Sequence, residues 1–176
     1  MRSLFLGMLA CFLVFVGCPQ KIPPTTKLLK PSAITTIYLV RHAEKKEGGI
    51  NNPVLTDAGK KRAQALQRVM RSALLQGVYS SEYNRTQQTV KPTAKAHNLT
   101  VVTVKANKQK QLIGLVTKLK YAGKAVLIAG HSNTVPELIQ RLGVEKKITI
   151  GHNDYDDLFV VLWTPQHPPK LLHLHY

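Results

Sequence analysis

The sequence predicts an α/β domain built on a mostly parallel sheet with helices on both faces. Two observations lead there. Short runs rich in β-branched and aromatic residues alternate with helical stretches of about ten residues or more. Most of those short runs are continuously apolar, as strands covered on both faces must be, and not alternating.

The elements follow in order. Ile34 to Val40 reads as a buried strand. A loop runs from Arg41 to Leu55, broken by Gly48-Gly49 and Asn51-Asn52-Pro53. Thr56 is a good helix cap, with Asp57 in the positive first turn. The helix is expected over Asp57 to Leu75, burying a stripe through Ala58, Ala65-Leu66 and Val69-Met70, and ending at Gly77. Val78 to Ser80 reads as a short strand. The next helix spans Arg85 to His97, with a kink or break expected at Pro92. A third strand covers Leu99 to Val104 and a helix Lys108 to Lys120. Ala125 to Ala129 is the fourth strand, followed by the exit loop Gly130-His131-Ser132-Asn133. A helix from Thr134 to Leu142 tolerates Pro136 in its first turn. Asp157 to Trp163 and Lys170 to Tyr176 are the last two strands, the second an edge strand with alternating Leu172, Leu174 and Tyr176.

The 176 residues suffice for one well-packed domain. The N-terminus reads differently. Leu4 to Val16 is almost wholly apolar after Met1-Arg2, the length of a signal-peptide core and short for a membrane span. Gly17-Cys18 after that run resembles the bacterial lipoprotein signal, which implies cleavage before Cys18 and lipid on its thiol, although Phe15 stands where that motif prefers Leu. The expected organisation is a signal at 1–17, a polar, proline-containing linker at 18–33 and a domain at 34–176, held at the cell envelope through Cys18. Cys11 and Cys18 are the only cysteines, so the domain has neither disulfide nor thiol chemistry.

The formal charge is +16, and removal of 1–17 takes away only Arg2. Such a charge favours anionic surfaces and solutes. The lysines are scattered and lack interleaved aromatic rings, which speaks against a specific nucleic-acid partner. His152, His167, His173 and His175 lack the spacing of compact metal motifs, so no metal is expected. Asp154, Asp156 and Asp157 are expected to cap the entry of a strand and offset nearby lysines.

Ligands in open α/β sheets bind beyond the carboxyl ends of the strands. Arg41 and His42 leave the first strand, Arg85 follows the second, and His131 leaves the fourth. Guanidinium groups match phosphoryl oxygens with paired donors. A neutral imidazole can attack phosphorus, and a second histidine can donate to the transferring oxygens. A carboxylic acid can protonate the leaving oxygen.

Tyr38-Leu39-Val40-Arg41-His42-Ala43-Glu44-Lys45 resembles the Arg-His signature of the histidine phosphatase superfamily, also called the phosphoglycerate mutase-like fold. Leu55-Thr56-Asp57-Ala58-Gly59 resembles that family's Leu-Thr-x-x-Gly helix start. Val78 to Thr89 resembles the segment with its second arginine, and Gly130 to Thr134 the segment with its second histidine. The resemblance implies a three-layer α/β/α sandwich with a mostly parallel Rossmann-like sheet, no metal and no organic cofactor. It implies His42 as nucleophile, with Arg41, Arg85 and His131 as the phosphate pocket. Many members carry a catalytic Glu between the second arginine and second histidine, but Val101 to Leu112 has no acid. Glu44, Glu137 or no group at all would then be the proton donor. The short chain, with compact segments between its motifs, suits a phosphatase better than a mutase, which must exclude water.

The leading expectation is an exported or lipid-anchored phosphomonoesterase acting on a small phosphorylated substrate. The alternatives are a phosphohistidine or other phosphoprotein phosphatase, and a non-catalytic anion-binding envelope protein. The oligomeric state is open.

Overall fold

The structure, a computed structural model, describes residues 33–49 and 51–176. The expected signal, Cys18 and nearly all of the linker lie outside the described residues. Among the described residues no helix is long and apolar enough to cross a membrane.

Six strands form one sheet: β1 (Thr35–Arg41), β2 (Leu75–Ser80), β3 (Val101–Thr103), β4 (Ala125–Gly130), β5 (Asp157–Trp163) and β6 (Lys170–His175). Their order is β3-β2-β4-β1-β5-β6. The β3-β2-β4-β1 half is parallel, and β5 and β6 add antiparallel strands to it. Helices α1 (Asp57–Val69), α2 (Asn84–Ala96), α3 (Gln109–Val116) and α4 (Thr134–Arg141) complete a three-layer α/β/α sandwich.

Alternation along β1 explains the layers. Ile37 and Leu39 enter one core with Val126, Ile128 and Phe159, closed by Leu112 and Val116 of α3 and Leu138 and Ile139 of α4. Val40 enters the other with Val78 and Leu127, closed by Leu66 of α1 and Val90 of α2. Both faces of the strand are buried, so its apolar run has no polar gap.

Four local expectations are corrected. Helix α1 stops at Val69, a 3-10 turn covers Met70–Ser72, and Leu75 already belongs to β2. Its buried face runs through Gly59, Ala63 and Leu66, leaving Ala58 exposed. Gly77 does not end a helix; it is a strand residue. A Cβ there would press at 3.0 Å on both the Tyr121 hydroxyl and the Tyr79 ring, two tyrosines whose hydroxyls share a 2.6 Å hydrogen bond. Pro92 sits inside α2, which continues to Ala96. Its missing N–H leaves the fourth-preceding carbonyl, Gln88, without its helical donor, while packing of α1 on α2 holds the segment helical.

Candidate active site

Sheet register sets the first two groups side by side. Arg41 pairs with Gly130 at the carboxyl ends of β1 and β4, and the next backbone N–H, of His42, donates to the Gly130 carbonyl at 2.9 Å. His42 and His131 therefore emerge from neighbouring strands at one level. Their rings lie 5.5 Å apart, nearly edge to face. Strand β2 ends level with β4, and its exit turn delivers Arg85 in the first turn of α2. Arg41, His42, Arg85 and His131 line one cleft of about 420 Å³, with Lys45 at its wall and the start of α4 opening on it.

The loop after His42 is pinned by its main chain. The Glu44 carbonyl accepts from the Thr56 N–H at 2.9 Å. Thr56 caps α1 by accepting from the Gly59 N–H at 3.0 Å. A Cβ at Gly59 would collide with that same Glu44 carbonyl, which is the physical content of the Leu-Thr-x-x-Gly pattern. An antiparallel bridge between Lys45 and Leu55, and a Lys46 N–H to Val54 carbonyl bond of 2.9 Å, close the neck of the loop.

The two imidazoles are prepared differently. His42 Nδ1 lies 2.8 Å from the Ala43 carbonyl, which can only accept, so Nδ1 carries the proton and the Nε2 lone pair is free. The Thr134 hydroxyl accepts from the His131 N–H at 2.8 Å and lies 3.5 Å from His131 Nδ1. A Thr134 proton directed to Nδ1 would set the tautomer in which His131 Nε2 is the donor. That Nε2 is buried and has no partner among the described residues.

Burial pushes the His42 pKa down to about 4; the Ala43 contact opposes this, and His131, Arg41 and Arg85 add to it. Burial also takes His131 to about 4, aided by Arg85 and partly offset by Glu82. Both rings are neutral at pH 7, and the Nε2 lone pair of His42 is free.

Arg41 is held by one nitrogen, which donates to the carbonyls of Gly151 and His152 at 2.8 Å and Asp154 at 3.1 Å. Its guanidinium lies 4.2 Å over the Tyr155 ring. Arg85 lies 4.3 Å over Tyr83, whose ring also meets His131 edge-on. The Nε atoms of both arginines are buried and unpartnered among the described residues. Buried polar atoms without partners are costly, at roughly 1–3 kcal/mol each. The three atoms, Arg41 Nε, Arg85 Nε and His131 Nε2, belong to residues that line this one cleft.

Neither expected carboxylate faces this cleft. Glu44 is paired with Arg62 at 2.8 Å. Burial raises its pKa, but the Arg62 hydrogen bond and charge outweigh that and hold it below the ordinary value. Glu137 bonds Arg141 and Gln109 on α4's other side, and the Arg141 bond lowers its pKa. Among the described residues no carboxylate lines the cleft. Glu82, which the sequence reading passed over, accepts from the Ala106 N–H at 2.8 Å and so ties the exit of β2 to that of β3.

Tyr83, Tyr155 and Thr89 were also missed. Tyr83 had a signal in its place two residues before Arg85; Tyr155 had none. His152 reaches the cleft and holds Arg41 through its carbonyl. The acidic cluster does not offset lysines: Asp154 accepts from the Gly151 N–H, Asp157 faces His173, and Asp156 faces His175.

Residues 37–108 match the family model of the histidine phosphatase superfamily, branch 1. That stretch holds Arg41, His42 and Arg85 and ends before His131. No curated protein sequence matches the chain. Solved structures do. The protein histidine phosphatase SixA complexed with tungstate superposes with a TM-score of 0.65 at 15% identity, covering 80% of this chain and 96% of that one. A protein of Escherichia coli K-12 proposed to be an alpha-ribazole-5'-P phosphatase gives 0.66 at 14% identity, covering 81% and 96%. Mycobacterial glucosyl-3-phosphoglycerate phosphatase with inorganic phosphate gives 0.62 at 12%, covering 80% and 97%. At these identities the likeness speaks for the fold. The chain thus has the three-layer fold of the histidine phosphatase superfamily, with residues 37–108 carrying the match to its branch 1.

Proposed function

We propose that the domain is a phosphatase of this superfamily, with His42 as nucleophile and Arg41, Arg85 and His131 as the phosphate pocket. One observation carries the reading: the free Nε2 of a neutral His42 belongs to a cleft lined by two guanidinium-bearing residues, Arg41 and Arg85, and by a second neutral histidine, His131. Nε2 attacks phosphorus as the bond to the leaving group breaks, and the leaving group departs with the electron pair. Arg41, Arg85 and His131 hold the equatorial oxygens meanwhile. Water then attacks the phosphohistidine and releases phosphate, and His42 regains its lone pair.

The acid-free cleft supports leaving groups that depart without a carboxylic acid. A phosphoramidate, such as phosphohistidine in a peptide, is the best such substrate class, because its imidazole, protonated on the ring nitrogen away from phosphorus, departs as a neutral base. A second reading is hydrolysis of small phosphomonoesters. The apolar N-terminal stretch favours it, since on sequence grounds it puts the domain at the cell envelope with lipid on Cys18.

The test incubates the protein with a phosphohistidine peptide and a panel of phosphomonoesters, beside His42→Ala. Phosphate release lost in the variant, with label trapped on His42 by rapid denaturation, supports the reading. Phosphate binding without release from any substrate would leave an anion-binding protein.

A further inference from the structure

We propose that Asp157, His173 and His175, with Asp156 as a fourth donor, form a binding site for a divalent first-row cation such as zinc. Strand geometry builds it. His173 and His175 are two apart on β6 and so point to the same face. Antiparallel pairing sets His175 opposite Asp157 and His173 opposite Phe159 on β5.

The donor atoms already converge. His173 Nε2 lies 2.6 Å from Asp157 Oδ1. His175 Nδ1 lies 3.7 Å from that oxygen and 3.6 Å from Asp156 Oδ2. One ligand atom from each of Asp157, His173 and His175 falls within 4.8 Å of the others. Zinc–ligand bonds of about 2.0–2.1 Å in a tetrahedron put neighbouring ligand atoms roughly 3.3 Å apart. Adjustments of at most about 1.5 Å in exposed imidazoles therefore suffice. Phe159 stacks on His173 at 4.4 Å and fixes the plane of that ring.

The carboxylate argues for a cation as well. Asp157 is 5% exposed in a chain with 25 lysines and arginines, yet its side-chain ion-pair partners among the described residues are both histidines. Two imidazoles and one or two carboxylates suit zinc, nickel or copper and disfavour magnesium or calcium. Asp156 and Asp157 also lie just beyond the Gly151–Asp154 stretch whose carbonyls hold Arg41. A bound cation would anchor that segment at its far end.

The test is zinc titration of the full chain by calorimetry, with cobalt(II) as spectroscopic probe. One zinc per chain is expected, with a visible cobalt spectrum of nitrogen and oxygen ligands and no thiolate charge-transfer band. Affinity should fall at least tenfold in His173→Gln and in His175→Gln, and remain unchanged in His42→Ala. Asp157→Asn, which keeps the side chain's shape, should lose affinity while its melting temperature in chelator stays within a few degrees of the parent. Absence of saturable binding, or equal affinity in both histidine variants and the parent, would overturn the proposal. These readouts do not depend on turnover.

Discussion

The Thr89 hydroxyl accepts from the Ala43 backbone N–H at 2.9 Å, and its own proton goes to the Arg85 carbonyl at 2.7 Å. A fully buried threonine thus joins the residue after His42 to the residue that carries the second guanidinium. Thr89→Val keeps the shape and deletes both bonds. Burying the Ala43 N–H unpaired should cost about 1–3 kcal/mol in urea unfolding. A shift of His42 relative to Arg85 should lower kcat by up to about a hundredfold. Thr89→Ser should restore most of both, which separates positioning from bulk packing.

The buried, neutral histidines set the response to acid. The unfolded chain takes up protons near pH 6.5, while His42 and His131 refuse them until about pH 4. The unfolded state therefore binds more protons in that window, and stability must rise with pH across it. Denaturant midpoints measured from pH 7 downward should fall between about 6.5 and 4, then lose this contribution to the slope. Saturating phosphate should flatten the fall, because an anion beside both rings favours their charged forms. The acid limb of kcat/KM in the free enzyme should likewise lie near pH 4.

Glu44 and Glu137 separate stability from chemistry. Glu44→Gln breaks the half-buried pair with Arg62 and should cost roughly 0.2–1 kcal/mol. Neither Glu44→Gln nor Glu137→Gln should change kcat on a phosphohistidine peptide by more than about twofold. A large loss of turnover in either, with the melting temperature intact, would restore that residue as the acid.

Arg41→Lys tests the fork. One Arg41 nitrogen meets three carbonyls, which leaves the rest of the guanidinium to face the cleft. A lysine offers one compact charge and cannot serve both sides. Phosphate affinity should weaken at least tenfold, whereas Arg68→Lys on exposed helix surface should leave it unchanged.

Cys18→Ala addresses location. If lipid is attached there, the parent should sediment with membranes and the variant should not; equal partitioning would remove Cys18 as the anchor.

Much of the site was legible because each catalytic candidate sits within a few residues of a strand's carboxyl end. A buried parallel strand announces itself by its apolar run, and its exit residues are then known. Arg41, His42, Arg85 and His131 were found in this way. Tyr155 was not, because it reaches His42 from the loop before β5 through tertiary approach alone. The length of α1 was overread because Gly77 looks like a helix stop, whereas its role is to make room for two tyrosines. The partners of Asp156 and Asp157 were misread because lysines are abundant in the sequence, while strand pairing brings histidines to them.

The bridged neck between Lys45 and Leu55 makes the excursion beyond it a separable module. Below the neck, His42 is fastened to Gly130 and Ala43 to Thr89, and the tip is held near α2 by Asn52, whose side-chain oxygen accepts from the Asn84 N–H. Glu47, Gly48 and Gly49 are exposed, with both glycines in the left-handed region. This is a natural splice point. Residues inserted there would leave the contacts that fasten His42 and Ala43 untouched.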